Sequence, residues 1–397
     1  MMTLRTLVLP ALLMTMTTHL LVAQQAHVNL DWNPQKNERN LTPYGASVIS
    51  PEVHNDQRVT FRLKAPEAQS VALTGGPMLL ALNTKEPIPF QKGADGVWTL
   101  TVGPVKPDIY VYRFVINGVT VPDPNNTLTG FADQPGYSNL VVHGSGPAYY
   151  DARNVPHGAI TRHIYHSDVL NGEREIYVYT PPGYDPKKKY PVLYLVGGSG
   201  ELASGWSIDG RANFITDNLL AEGKAVPMII AMPNNQVVHR SDPNHTDLTF
   251  NLFEQELRKH IVTFVDKHYS TRTDRRSRAL AGLSMGGRHT QFVGINKCLD
   301  LFSSFGILSA GDLEPEKTSA AFLNDPDANK KVDYLFIGQG TGEVTTIGKR
   351  TVVLHEALQK HSIKHQYYVG GDGAHDWGTW RHLLYYQFLP NLWRNKM

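Results

Sequence analysis

The chain has 397 residues, of which 41% are hydrophobic and 19% charged, and its formal net charge is +2. That length fits about two domains of roughly 100–200 residues each, and the composition fits a globular protein with a sizeable core. A charge this close to balance, without a long basic run, argues against nucleic acid or an anionic membrane surface as partner.

Residues 1–26 read as a signal peptide, which implies a secreted or periplasmic protein. Arg5 supplies the positive start, Thr6 to Val22 is uncharged and mostly apolar, and small residues follow at Ala23 and Ala26. Pro10, the threonines and His19 argue against a stable membrane span, and no cysteine follows the apolar run to carry a lipoprotein anchor. Cys298 is the sole cysteine, so no internal disulfide is expected and stability must come from packing. Neither CxxC nor HExxH occurs, and no metal or cofactor is expected.

Residues 27–150 read as all-β. "QRVTFRL" alternates with Val59, Phe61 and Leu63 on one face, and "DIYVYRFVING" places Tyr110, Tyr112, Phe114 and Ile116 together before an Asn117-Gly118 hairpin turn. Short strands punctuated by Pro, Gly, Asn and Asp predict an immunoglobulin-like β-sandwich. From 155 to 397 strand-like and helical runs alternate. "YPVLYLVGG", "VPMIIAMPNN", "SRALAGLSMGG", "FSSFGILSAG", "VDYLFIGQG" and "HQYYVGG" read as strands. "RANFITDNLLAEG", "FEQELRKHIVTFVDKHY" and "WGTWRHLLYYQFL" read as helices. Such alternation predicts an α/β fold with a mostly parallel sheet covered by helices on both faces.

Gly282-Leu283-Ser284-Met285-Gly286 matches G-x-S-x-G, between an apolar strand and an expected helix. A serine on so sharp a bend needs neighbours without bulky Cβ groups. The bend exposes the Ser284 hydroxyl and aims the Met285 N–H at an oxygen that gains negative charge. A serine hydroxyl needs a base, and His375 in "GGDGAHDWGTW" follows the last predicted strand. The acid expected after the preceding strand is Glu343, with Asp312 after "ILSAG" as the other candidate. A second oxyanion donor is expected in "LVGGSG", from Ser199 N–H or from Gly198.

These residues, together with "GRANFITDNLLAEGKAVPMIIAMPN" and "GAHDWGTW", resemble carbohydrate esterase family one, the esterase D-like feruloyl and acetylxylan esterases, over roughly residues 160–395. The resemblance implies an α/β-hydrolase fold, with the family's serine at Ser284, its histidine at His375 and its acid at Glu343. Two departures stand out: Gly197-Gly198 replaces the His-Gly of many members, and glutamate replaces the usual aspartate. Residues 44–142 resemble the immunoglobulin-like carbohydrate-binding module of family 48, through "SPEVHNDQRVTFRLKAP" and "IYVYRFVINGVTVPDPNN".

The function that the resemblance implies is a serine esterase acting on feruloyl esters of plant cell-wall xylan. Acetylated xylan and a siderophore trilactone are the alternative ester substrates. A glycan-binding protein with an inert hydrolase domain is the non-enzymatic alternative. The polar segment 234–247 is expected to line or cover the cleft, and Trp98 is read as a core or interface residue rather than a sugar platform.

Overall fold

The computed structural model describes residues 48–130, 136–344 and 346–394, so the expected signal peptide lies outside the described residues. Two sheets form the N-terminal region. One is four-stranded (Glu52–Val53, Val59–Lys64, Val97–Val102 and Gln91–Lys92). The other is six-stranded and centres on Asp108–Ile116, flanked by Val71–Thr74 and Tyr137–Val142. Alternation along the strands explains why they face each other: Val59, Phe61, Leu63, Leu73, Tyr112 and Phe114 all point into one buried cluster. Trp98 joins that cluster and donates its indole N–H to the Ala65 carbonyl at 2.9 Å, which makes it a core residue. Asn117 and Gly118 have φ of 49° and 86°, as the central pair of a type I′ hairpin turn requires.

The remainder of the chain forms one eight-stranded sheet. Its strands are β1 (Ala159–Ser167), β2 (Gly172–Thr180), β3 (Val192–Val196), β4 (Ile229–Pro233), β5 (Arg278–Leu283), β6 (Ser304–Leu308), β7 (Tyr334–Gln339) and β8 (Gln366–Val369). Their spatial order is β1-β2-β4-β3-β5-β6-β7-β8. The first two strands pair antiparallel, β2 meets β4 antiparallel, and all later pairings are parallel.

Both faces of this sheet are covered, because its central strands are buried at every position and β3 is apolar throughout. Val192, Tyr194 and Val196 of β3 point into one core, and Leu193 and Leu195 point into the other. Helix α1 (Ala212–Ala221) covers the second core through Ile215 and Leu219. The first core is covered by α2, which runs His245–Glu256 and continues through Leu257–Ile261 into Val262–His268. Helices α3 (Met285–His289, extended by Thr290–Ile295) and α4 (Thr346–Lys360) lie on that same face. Helix α5 (Trp377–Leu383, extended by Leu384–Phe388) returns to the second. The fold is therefore an α/β-hydrolase preceded by paired sheets. Because α2 begins at His245, the irregular segment after β4 is shorter than the sequence reading of 234–247. Parallel strands carry their site at their carboxyl ends, which is where Ser284, Glu343 and His375 stand.

Candidate active site

Ser284 joins β5 to α3 with φ 50° and ψ −114°, a sparsely populated conformation for a non-glycine residue. Two glycines make the bend possible. A Cβ on Gly282 would lie 2.4 Å from the Gly286 carbonyl carbon, and one on Gly286 would lie 2.4 Å from the Val196 carbonyl oxygen. The strand and helix touch backbone to backbone here, and β3 packs equally close. The Ser284 N–H donates to the Leu308 carbonyl at 2.9 Å, which ties the bend to β6.

His375 stands in the loop between β8 and α5. Its Nε2 lies 2.9 Å from the Ser284 hydroxyl and its Nδ1 lies 3.5 Å from Glu343 Oε2. Asp376 holds this loop by capping α5: it accepts the N–H groups of Thr379 at 3.0 Å and Ala374 at 3.2 Å. The Trp380 and His375 rings stand at 90° to each other with their centroids 5.1 Å apart.

Glu343 is buried after β7, and its other oxygen accepts from the Ser309 hydroxyl and, at 3.2 Å, from the Gly340 N–H. Ser309, fully buried at the end of β6, in turn accepts the Trp380 indole N–H at 3.0 Å. One carboxylate oxygen is thus anchored by two donors, one of them held in turn by the Trp380 indole, and the other oxygen is left for the imidazole. Asp312 does not reach His375. Its oxygens accept from the Leu313 N–H and from the Thr318 hydroxyl in its own loop.

The loop after β3 approaches the serine closely: a Cβ on Gly198 would lie 3.7 Å from Ser284 Cβ and 2.7 Å from Leu283 Cδ1. Asn235 donates to the Gly197 carbonyl and Gln236 to the Gly198 carbonyl, both at 2.8 Å, while Gln236 Oε1 accepts the Gly200 N–H at 3.0 Å. In a trans peptide the carbonyl and the following N–H point in opposite directions, so Gln236 also turns the Ser199 N–H away from itself. Met285 begins α3, where first-turn N–H groups have no partner within the helix. His289, fully buried one turn later, donates Nδ1–H to the Met285 carbonyl at 3.0 Å. Burial pushes His289 down to about 3, so it remains a neutral ring within the fold.

Sequence reasoning did not single out Ser309, Gln236, His289 or Trp380. Their roles arise from contacts between distant segments, and no local pattern signals them. It also named none of the residues by which the N-terminal region borders the site. A pocket of about 160 Å³ beside His375 is walled by Ile109, Val111 and Tyr137 from that region and by Trp377 and Trp380 from α5.

The Esterase family model matches residues 167–389, and the chain belongs to that family. It is 31% identical over 341 residues to an endo-1,4-beta-xylanase/feruloyl esterase of Xylanibacter ruminicola, covering 84% of this chain and 44% of the relative. The chain spans less than half the length of the curated relatives it matches. Among solved structures it is similar to a ferulic acid esterase from Anaeromyces mucronatus. The identity is 26%, the match covers 64% of this chain and 98% of that one, and the TM-score is 0.53. An enterochelin esterase from Shigella flexneri shares the fold at 16% identity, with a TM-score of 0.65 over 87% of this chain and 95% of its own. That likeness of fold takes in the N-terminal strands as well as the hydrolase.

Proposed function

We propose that the chain is a serine esterase that releases ferulate from feruloyl esters of plant cell-wall xylan through an acyl-enzyme. The observation that carries this reading is the His375 Nε2 contact with the Ser284 hydroxyl, 2.9 Å long, on a strand–helix bend. The similarity to relatives named as feruloyl esterases supports the acyl group.

In this reading Ser284 Oγ attacks the ester carbonyl while His375 Nε2 takes its proton. The carbonyl π-electrons move to oxygen, and the N–H groups of Met285 and Ser199 receive the negative charge. Glu343 stabilises the imidazolium through Nδ1–H and fixes its tautomer. The tetrahedral species collapses, the bond to the sugar oxygen breaks, and His375 returns its proton to that oxygen. Water, deprotonated by the same imidazole, then attacks the acyl carbon, and Ser284 leaves with a proton from His375. No metal or cofactor enters this sequence.

The test is parallel hydrolysis of methyl ferulate, feruloylated xylan, acetylated xylan and a ferric catecholate trilactone, with products separated by chromatography. Release of ferulate from the first two is the expected result. Turnover of only acetylated xylan or only the trilactone would reject the acyl assignment.

A further inference from the structure

Helix α5 supports both the base and the acid of the site. Asp376 ties the His375 loop to its first turn, and the Thr379 hydroxyl donates to the Ala374 carbonyl at 2.6 Å. Trp380 holds the Ser309 hydroxyl that anchors Glu343. A shift or rotation of α5 therefore moves the imidazole and the carboxylate together.

The hydrolase alone does not fix this helix. Leu383 and Leu384 bury its apolar side in the second core, but hydrophobic contact is non-directional and does not by itself set rotation about the helix axis. A directional contact comes from Arg381, beside Trp380, which crosses the seam between the hydrolase and the N-terminal region. Its guanidinium is fully buried and donates to Asp108 Oδ1 at 2.7 Å and to the Asp209 carbonyl at 2.8 Å. A planar fork held by two acceptors fixes orientation more tightly than a single bond. The same cation stands 4.9 Å from the centre of the Tyr150 ring.

Both acceptors are held from the N-terminal side. Asp108 begins the strand Asp108–Ile116, and its Oδ2 lies against the first turn of α5, where a Cβ on Gly378 would stand 2.7 Å from it. The Asp209 carboxylate accepts the Tyr137 hydroxyl at 3.1 Å and the Asn139 amide at 2.9 Å across the seam. Breaking a buried, hydrogen-bonded charge is costly, so the link persists in the folded protein. A pair that only joined the two regions could sit anywhere along the seam. This pair sits beside Trp380 and, through Gly378, beside the Asp376 cap.

We propose that Asp108 and Arg381 are positioning residues, through which the N-terminal region sets α5 and, with it, the His375 imidazole and the Glu343 carboxylate. This rests on the esterase reading above and adds what holds its base and acid in place. The test measures kcat and KM separately for methyl ferulate in wild type, Asp108→Ala, Gly378→Ala and a Ser50→Ala control. Ser50 donates to Asp123 at 2.6 Å inside the N-terminal region, so its loss weakens that region without removing a contact of α5. Asp108→Ala is expected to lower kcat about tenfold while KM stays within about twofold. Gly378→Ala keeps the buried cation paired but drives a methyl group against the Asp108 carboxylate, and kcat is expected to fall in the same way. Ser50→Ala is expected to lower Tm and leave kcat within about twofold of wild type. Thermal melts establish that each variant is folded. A folded Asp108→Ala with kcat within about twofold of wild type overturns the positioning role, as does a loss confined to KM or an equal kcat loss in Ser50→Ala. If Asp108→Ala does not fold, Gly378→Ala decides by the same criteria. Wild type that leaves methyl ferulate uncleaved overturns the esterase reading instead.

Discussion

Ser284 is positioned by its immediate chain neighbours, whereas Glu343 is positioned by a serine 34 residues away that is itself bonded to a tryptophan 71 residues further on. At the serine, Gly282 and Gly286 let a strand, a helix and the end of β3 meet backbone to backbone. At the acid, side chains from β6 and α5 hold one carboxylate oxygen so that the other faces His375. The bend is therefore a property of five consecutive residues, and the acid site is a property of the assembled sheet.

Substitutions can separate these two kinds of construction. Ser284→Ala removes the nucleophile and should lower kcat by about 10⁶-fold; methyl ferulate turnover over long incubations measures it. Glu343→Gln should cost on the order of 10⁴-fold through the wrong imidazole tautomer, while Asp312→Asn stays near wild type in the same assay. A reversed pair of results would move the acid to Asp312. Gly286→Ala forces a Cβ against the backbone of Val196 and Gly197, at 2.4 and 2.5 Å. The displaced bend should lose about 10²-fold in kcat and roughly 1–3 kcal/mol of stability, read from urea unfolding. Ser309→Ala leaves the Trp380 indole N–H without its acceptor and should cost about 1–3 kcal/mol, with a smaller loss of activity than Glu343→Gln.

The remaining effect concerns pH and is read on stability rather than on turnover. His289 sits at about 3 in the fold against roughly 6.5 in an unfolded chain. Below pH 6.5 the unfolded state binds a proton that the native state refuses. The contribution of this ring to stability is thus present above pH 6.5 and is lost progressively towards pH 3. Urea midpoints at pH 7 and pH 4 should fall further apart in wild type than in His289→Gln.

The same division explains what could be read from the sequence. The alternation of Val59, Phe61 and Leu63, the Asn117-Gly118 turn and the unbroken apolar run of β3 each signal their element locally, so both layers of the fold were legible. Gly282 and Gly286 announce the bend at Ser284 for the same reason. Glu343 and Asp312 each follow a strand, and composition does not separate them. The structure does, because Asp312 spends its oxygens on Leu313 and Thr318. Gln236 lies in a segment read as a cleft lining, yet it orients the peptide before Ser199. The seam was illegible because Arg381 and Asp108 are 273 residues apart and carry no motif.

The most direct measurement is intact-mass and peptide mapping of the folded protein after a fluorophosphonate probe. The account predicts one adduct, on Ser284, formed rapidly in wild type and nearly abolished in His375→Ala. Labelling of Ser284 at an equal rate in that variant, or no adduct on Ser284 at all, would contradict it.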